Sequence, residues 1–185
     1  GRYQTSRRID NSLRAVIFSP LPSLEMFWDL ENGNDDWWET EFGVNQHYKK
    51  LIEKNEERFN ALTLDRILPK KLDSVTGQVE HIASCDSVFA PKTPAGIGLT
   101  TVVSIDLETP TSTASAVSVF GAEGIVYAST SALYLTTSRH YVQEAFESRM
   151  WIEESSGIHK FNIAPSDSAA YYVATGVLPG RMLDQ

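Results

Sequence analysis

The chain has 185 residues, 42% of them hydrophobic and 22% charged, which is the composition of a globular chain able to bury one sizeable core. Its 16 basic against 24 acidic side chains give a formal net charge of -8, which disfavours nucleic acid or an anionic membrane surface as the main partner. No apolar run approaches the roughly 20 residues of a membrane-spanning helix. The first residues show no targeting pattern, although a processed or truncated export signal stays open.

The first predicted element is a β-hairpin over residues 2–18. β-Branched and aromatic residues lie on both sides of Asp10 and Asn11, and this dipeptide readily adopts turn geometry.

Residues 21–72 differ in composition and predict an insertion within a β-rich chain. The first part, MFWDLENGNDDWWETEF, is acidic and rich in tryptophan. The second part predicts an amphipathic helix over residues 46–62, capped by Asn45 and ended before Pro69. The residues at helical spacing are Tyr48, Leu51, Ile52, Asn55, Phe59 and Leu62. We expect Leu51, Ile52 and Phe59 to face protein.

From residue 77 onward the chain predicts only β-structure. Strand-sized apolar runs alternate with Gly, Pro, Ser and Thr, a pattern typical of a sandwich, a barrel or a propeller.

An internal correspondence favours the propeller. The segment that starts at Val102 aligns without a gap with the segment that starts at Ile158, at an offset of 56 residues. A second, looser match aligns the segment that starts at Leu13 with the segment that starts at Leu133. Propeller blades are antiparallel four-stranded units of about 40–50 residues, so the extra length is predicted to be a polar loop over residues 141–156. The alternative is a chance match of two β-hairpins.

Three motifs also resemble a known family. They are the run GIVYASTSALYLTTSRH, the strand IHKF, and an exit segment with the pattern GxxPGRxLxQ. Most of the chain outside residues 21–64 is similar to a family of secreted bacterial and archaeal proteins with a carboxy-terminal β-propeller domain, distantly related to WD-repeat propellers. The resemblance implies an exported protein, and it implies no catalytic or ligand-binding position.

The fold expected from these observations is mainly β, with about two antiparallel β-propeller blades of an incomplete propeller and a helical insertion. Residues 1–185 then form one partial propeller domain, in which residues 21–72 are the acidic, Trp-rich and helical insertion. A closed propeller typically has at least about four blades, so we expect the chain to be a fragment. Residues 181–183 are expected to pair with another polypeptide.

One weak metal candidate lies in the insertion. Carboxylates surround Gly33, as a calcium loop requires, at Asp29, Glu31, Asp35 and Asp36. The glycine is at the fifth place and no acidic residue is at the twelfth, so a solvated acidic turn is the alternative. Metal content is therefore left unknown, and no other cofactor is expected.

The tryptophans of the insertion suggest a ligand platform. Trp28, Trp37 and Trp38 combine apolar area with a hydrogen-bond donor, which suits a protein or glycan ligand. The alternative is that they attach the insertion to the sheets.

No catalytic set is predicted. Cys85 is the only cysteine and is expected to be a small buried apolar residue, and the four histidines lack the spacing of a metal motif. No GxSxG nucleophile elbow occurs in the chain.

The predicted function is a non-catalytic binding or scaffolding module of an exported, periplasmic or cell-envelope protein. Its partners would be the remaining blades or a second copy of the chain. The alternative is part of a propeller hydrolase or lyase whose active site is completed by blades absent from this chain.

Overall fold

The structure is a computed structural model that describes residues 1–21, 27–28, 37–92, 96–109, 114–121, 123–144, 150–164 and 169–183. Within these residues, no helix combines the length and the hydropathy needed to cross a membrane. The chain divides into two compact units. Residues 1–20 and 68–185 form the first, called the β-unit here, and residues 21–67 form the second, called the helical unit.

The elements in chain order are strands β1 (Arg2–Ile9) and β2 (Ser12–Pro20), helices α1 (Glu41–Asn60) and α2 (Leu64–Ile67), and strands β3 (Lys70–Leu72), β4 (Val79–His81), β5 (Val88–Phe89), β6 (Gly98–Asp106), β7 (Ser115–Phe120), β8 (Ile125–Ala128), β9 (Ala132–Glu144), β10 (Met150–Asn162) and β11 (Tyr171–Pro179). Short 3-10 helices cover Trp37–Glu39 and Cys85–Ser87.

Two sheets make up most of the β-unit. The first sheet has the order β1-β2-β6-β7-β5, in which β5 lies parallel to β7 and all other pairs are antiparallel. The second sheet has the order β11-β10-β9-β8 and is antiparallel throughout. Strands β3 and β4 form a separate small hairpin. The predicted mainly antiparallel β-fold is confirmed.

The predicted amino-terminal hairpin is confirmed as β1 and β2. Asp10, at the turn, has φ 50°, a left-handed conformation that Asp tolerates because its short side chain bonds locally.

The predicted 56-residue correspondence holds for the central strands. β6 and β10 are each the third strand of an antiparallel series of four. Val16 pairs with Val102 in the first sheet, and Thr136 pairs with Ile158 in the second. The offset therefore aligns residues in the same register, and the looser match of β2 with β9 is borne out with it.

The correspondence slips at the fourth strand. Ser115 pairs with Ser104 in the first sheet, but the matching Tyr171 pairs with Asn162, two residues further along. A bulge follows in the second sheet next to Phe161, and such an extra residue twists the strand that carries it.

The polar loop predicted over residues 141–156 is wrong. β9 extends to Glu144 and β10 begins at Met150, and the two strands pair throughout these described parts of the segment. Residues 145–149 lie outside the described residues. The charged residues misled the prediction, because a two-stranded ribbon accepts charge while Val142 and Ile152 retain high β-propensity.

One hydrophobic core lies between the two sheets. Its buried members come from both sheets and are Ile9, Val16, Val102, Val117, Val119, Leu133, Leu135, Phe161, Ile163 and Ala170. Ala170 donates its backbone N–H to Ser104 Oγ across this core at 2.9 Å. The sheets therefore pack face to face, each through one of its sides.

The helical unit contains the predicted helix, which begins earlier than expected. Thr40, rather than Asn45, caps α1, because its hydroxyl accepts the backbone N–H of Gly43 at 3.0 Å. Leu51 is buried as predicted, whereas Ile52 and Phe59 are 56% and 63% exposed, so the prediction that they face protein is wrong within this chain.

Candidate functional site

The side of the second sheet that faces away from the core is a solvent-accessible surface, called the open face here. Cross-strand pairing places Tyr127, Tyr134 and Lys160 in one row across β8, β9 and β10. Ile158 and Thr136 form the next row. Tyr127 is 68% exposed and Lys160 is exposed, while the other three are half-buried.

Aromatic and cationic groups meet on the open face. The rings of Tyr127 and Tyr134 are 6.5 Å apart between centroids. Lys160 Nζ lies 6.0 Å from the Tyr134 ring centroid, at the outer limit of a cation–π contact. Nearby, Asn162 donates to the Tyr171 hydroxyl at 2.6 Å. This combination offers apolar area together with hydroxyl and ammonium groups.

The equivalent side of the first sheet is covered. Val16 and Val102, which correspond to Thr136 and Ile158, are 1% and 0% exposed because the second sheet packs over them. Arg14, which corresponds to Tyr134, is fully buried. Equivalent positions in the two sheets therefore have different environments. Among the residues that the structure describes, none covers the second sheet as that sheet covers the first.

A cavity of about 250 Å³ lies between the first strands of the two sheets. The lining residues include Thr5, Arg7, Arg14, Val126 and Leu133. Arg7 and Arg14 are directly opposite each other on β1 and β2. Two arginine side chains are therefore among the groups that line one side of this cavity.

An aromatic cluster closes another part of the inter-sheet core. The rings of Phe89 and Tyr172 stack with centroids 4.6 Å apart, and Phe161 meets Tyr172 edge-on at 5.4 Å. The Tyr172 hydroxyl lies 3.2 Å from Nδ1 of the buried His159. Burial raises the pKa of Tyr172 above its ordinary value, because the phenolate is poorly solvated there.

The predicted calcium ligands Asp29, Glu31, Asp35 and Asp36 lie outside the described residues. Within the described part of the chain, no group of three or more His, Cys, Asp or Glu side chains could hold a metal ion. The calcium site stays a prediction.

The predicted aromatic platform also stays a prediction. Trp28 and Trp38 are 89% and 58% exposed, and the backbone of Trp37 lies in the 3-10 helix Trp37–Glu39.

Cys85 is exposed, so the prediction of a buried apolar cysteine is wrong. It begins the 3-10 helix Cys85–Ser87, which two serine contacts hold: Ser87 Oγ donates to the Ser84 carbonyl at 2.9 Å, and Ser84 N–H donates to Ser87 Oγ at 3.1 Å. An open groove of about 790 Å³ passes beside the cysteine, with Leu68, Ile82 and Ala116 among its lining residues.

Sequence reasoning missed the open face and the buried Arg14. The strand alternation in SALYLTTS gave a signal, because Leu133 and Leu135 lie on one side and Tyr134 and Thr136 on the other. The alternation does not indicate which side of the strand is covered by the other sheet.

One of three comparisons with known proteins supports this architecture. Neither the curated proteins nor the solved structures gave a match. A family model described as Beta propeller domain matches residues 1–185. Two stacked antiparallel sheets, each with a series of four strands, are the units from which propellers are built. The chain therefore belongs to the beta propeller domain family.

Proposed function

We propose that this chain is a non-catalytic binding or scaffolding module of an exported or cell-envelope protein, and that the open face is its docking surface. The proposal rests on one observation, the difference in burial between equivalent faces of the two sheets. Val102 is 0% exposed beneath the second sheet, whereas the matching Ile158 is only half-buried.

The occupant that best fits the open face is a further antiparallel sheet, supplied by remaining blades or by a second copy of the chain. Blades in a propeller stack through their faces, and the two sheets of this chain already do so. The exported or cell-envelope location is supported only by the resemblance of the motif residues given above.

The composition of the open face is also suited to contact with water before a partner binds. Tyr127, Tyr134 and Lys160 each join an apolar body to a polar tip, so they lose little by exposure and gain contact area when covered. No observation on the described residues favours the hydrolase or lyase alternative.

Hydroxyl-radical footprinting tests the proposal. The isolated 185-residue chain is compared with the protein purified from its own cells, with oxidation followed by mass spectrometry. We expect Tyr127 and Tyr134 to be oxidised severalfold more slowly in the native protein. Tyr3, which is 63% exposed on β1, serves as the internal reference. Equal oxidation of Tyr127 and Tyr134 in both samples would contradict the docking role.

The location has its own test. Fractionation of the native cells should recover the protein in the culture fluid, the periplasm or the envelope, and recovery with the cytoplasmic fraction alone would contradict it.

A further inference from the structure

Helix α1 carries an exposed stripe of apolar residues at coiled-coil spacing. Tyr48, Ile52 and Phe59 are 52%, 56% and 63% exposed. With Asn45 and Asn55 they follow alternating steps of three and four residues, which is the spacing of the a and d positions of a heptad. Such a stripe is the seam along which one helix packs against another.

Apart from Asn55, which belongs to both, this stripe is distinct from the face that α1 uses within its own unit. His47 and Leu51 are the buried residues of the helix. A third contact lies beside them, where the Asn55 amide exchanges two hydrogen bonds with the backbone of Phe27, at 2.8 and 3.0 Å. The Phe27 ring accepts Lys54 Nζ at 3.6 Å on the same flank. The other flank of the stripe is open.

The open part of the stripe has the shape of a hole for a single side chain. A groove on α1 is lined by Ile52, Asn55, Glu56 and Phe59, with Asn60 at its end. The first four have the relative positions i, i+3, i+4 and i+7, which are those of the four residues that surround a knob in coiled-coil packing. The groove therefore suits an apolar side chain from another helix.

Charges along the open flank are self-complementary. Lys49 and Glu56 are both exposed, and among the described residues neither forms an ion pair within the chain. When two copies of α1 lie antiparallel about a twofold axis that crosses the helix between residues 52 and 54, Lys49 of each copy lies beside Glu56 of the other. The same arrangement places Tyr48 over Phe59 of the second copy.

We propose that the chain self-associates through α1, as an antiparallel helix pair in which Ile52 of each copy fills the groove of the other. The contact is isologous, so it closes as a dimer rather than a filament. A helix of 20 residues is about 30 Å long. The contact is therefore small, and the dimer is expected to be reversible. This inference concerns the helical unit and does not depend on the proposed role of the open face.

Analytical ultracentrifugation of the full chain over a range of concentrations tests it. We expect the mass to rise with concentration from 20.6 kDa to twice that value. Ile52→Glu should abolish the rise while circular dichroism stays unchanged, because this side chain is already 56% exposed. A monomer at every concentration, or a dimer that Ile52→Glu leaves intact, would overturn the proposal.

Charge reversal tests the antiparallel register. Lys49→Glu and Glu56→Lys should each weaken the dimer by roughly tenfold, because two symmetric pairs become repulsive. The double variant should restore the dimer. Lys50→Glu is the matched control, since Lys50 lies on the opposite side of the helix from Ile52 and should change nothing. Failure of the double variant to recover the affinity of the original chain would reject the pairing.

Discussion

The packing of the two sheets can be tested at a pair of equivalent residues. Phe161 on β10 corresponds to Ile105 on β6, but Phe161 is 0% exposed in the inter-sheet core and Ile105 is half-buried on the other side of the first sheet. Phe161→Ala removes a ring that meets Tyr172 edge-on at 5.4 Å. Truncation of a buried Phe costs about 3–5 kcal/mol, because lost burial and an unfilled cavity add together.

The control substitution Ile105→Ala should cost less, on the order of 1–2 kcal/mol, because its side chain already contacts water. Urea denaturation followed by circular dichroism measures both changes, and unchanged slopes show that the free energies are comparable. The expected result is a markedly lower midpoint for Phe161→Ala than for Ile105→Ala. If the two variants differ by less than about 1 kcal/mol, which is near the error of such extrapolations, the face-to-face stacking of the sheets is wrong.

Three further outcomes follow from local geometry. Gly124→Ala should destabilise the chain by about 1–3 kcal/mol, since an added Cβ would overlap the Thr136 carbonyl oxygen. Gly176→Ala is the control, because a Cβ added there has open space around it, and equal melting temperatures for the two variants would contradict the prediction. Hydrogen bonds from the Thr109 hydroxyl and then from a backbone N–H lower the pKa of Asp106 below 3.8, so its contribution to stability should be lost as the pH falls through that lowered value. In Asp106→Ala the melting temperature should therefore fall less steeply as the pH decreases, as measured by thermal melts between pH 2 and pH 5. Burial raises the pKa of Tyr172 above 10.0, so stability should fall as the pH rises above 10.0, and Tyr172→Phe should remove that decline.

The sequence was sufficient for elements whose signal is local. The hairpin of β1 and β2 follows from a turn dipeptide between β-forming residues, and α1 follows from helical spacing. Its start was misplaced because the Thr40 cap outweighs the cost of Gly43 in the first turn, about 1 kcal/mol. Residues 141–156 were misread as a loop because charge was weighed above β-propensity.

The sequence was insufficient where the environment depends on a neighbouring sheet. The 56-residue correspondence pairs Gly124 with Gly180, yet the two glycines serve different needs. Gly124 permits a close backbone approach. Gly180 instead has φ +85°, a conformation that favours glycine, although a Cβ added there would meet nothing within 4 Å. Alignment finds the shared position but not the physical reason for it.

The same limit explains why the candidate surface could not be found from the pattern alone. Both sheets alternate side chains between two faces, and stacking covers opposite faces of the two partners. Val102 and Ile158 are thus both apolar and share one register, although only Val102 is covered.

The composition of the two faces nevertheless differs in a way that physical chemistry can interpret. The inter-sheet core is mainly aliphatic and aromatic, as expected of two surfaces that stay packed together, although Arg14 and His159 are also buried there. The open face instead carries Tyr127, Tyr134 and Lys160, whose polar tips remain solvated until a partner arrives. If a face only had to stack on another sheet, aliphatic residues would be sufficient on both the core side and the open face. Because specificity depends on directional groups as well as area, the tyrosine hydroxyls and the ammonium group would select which sheet can cover this one.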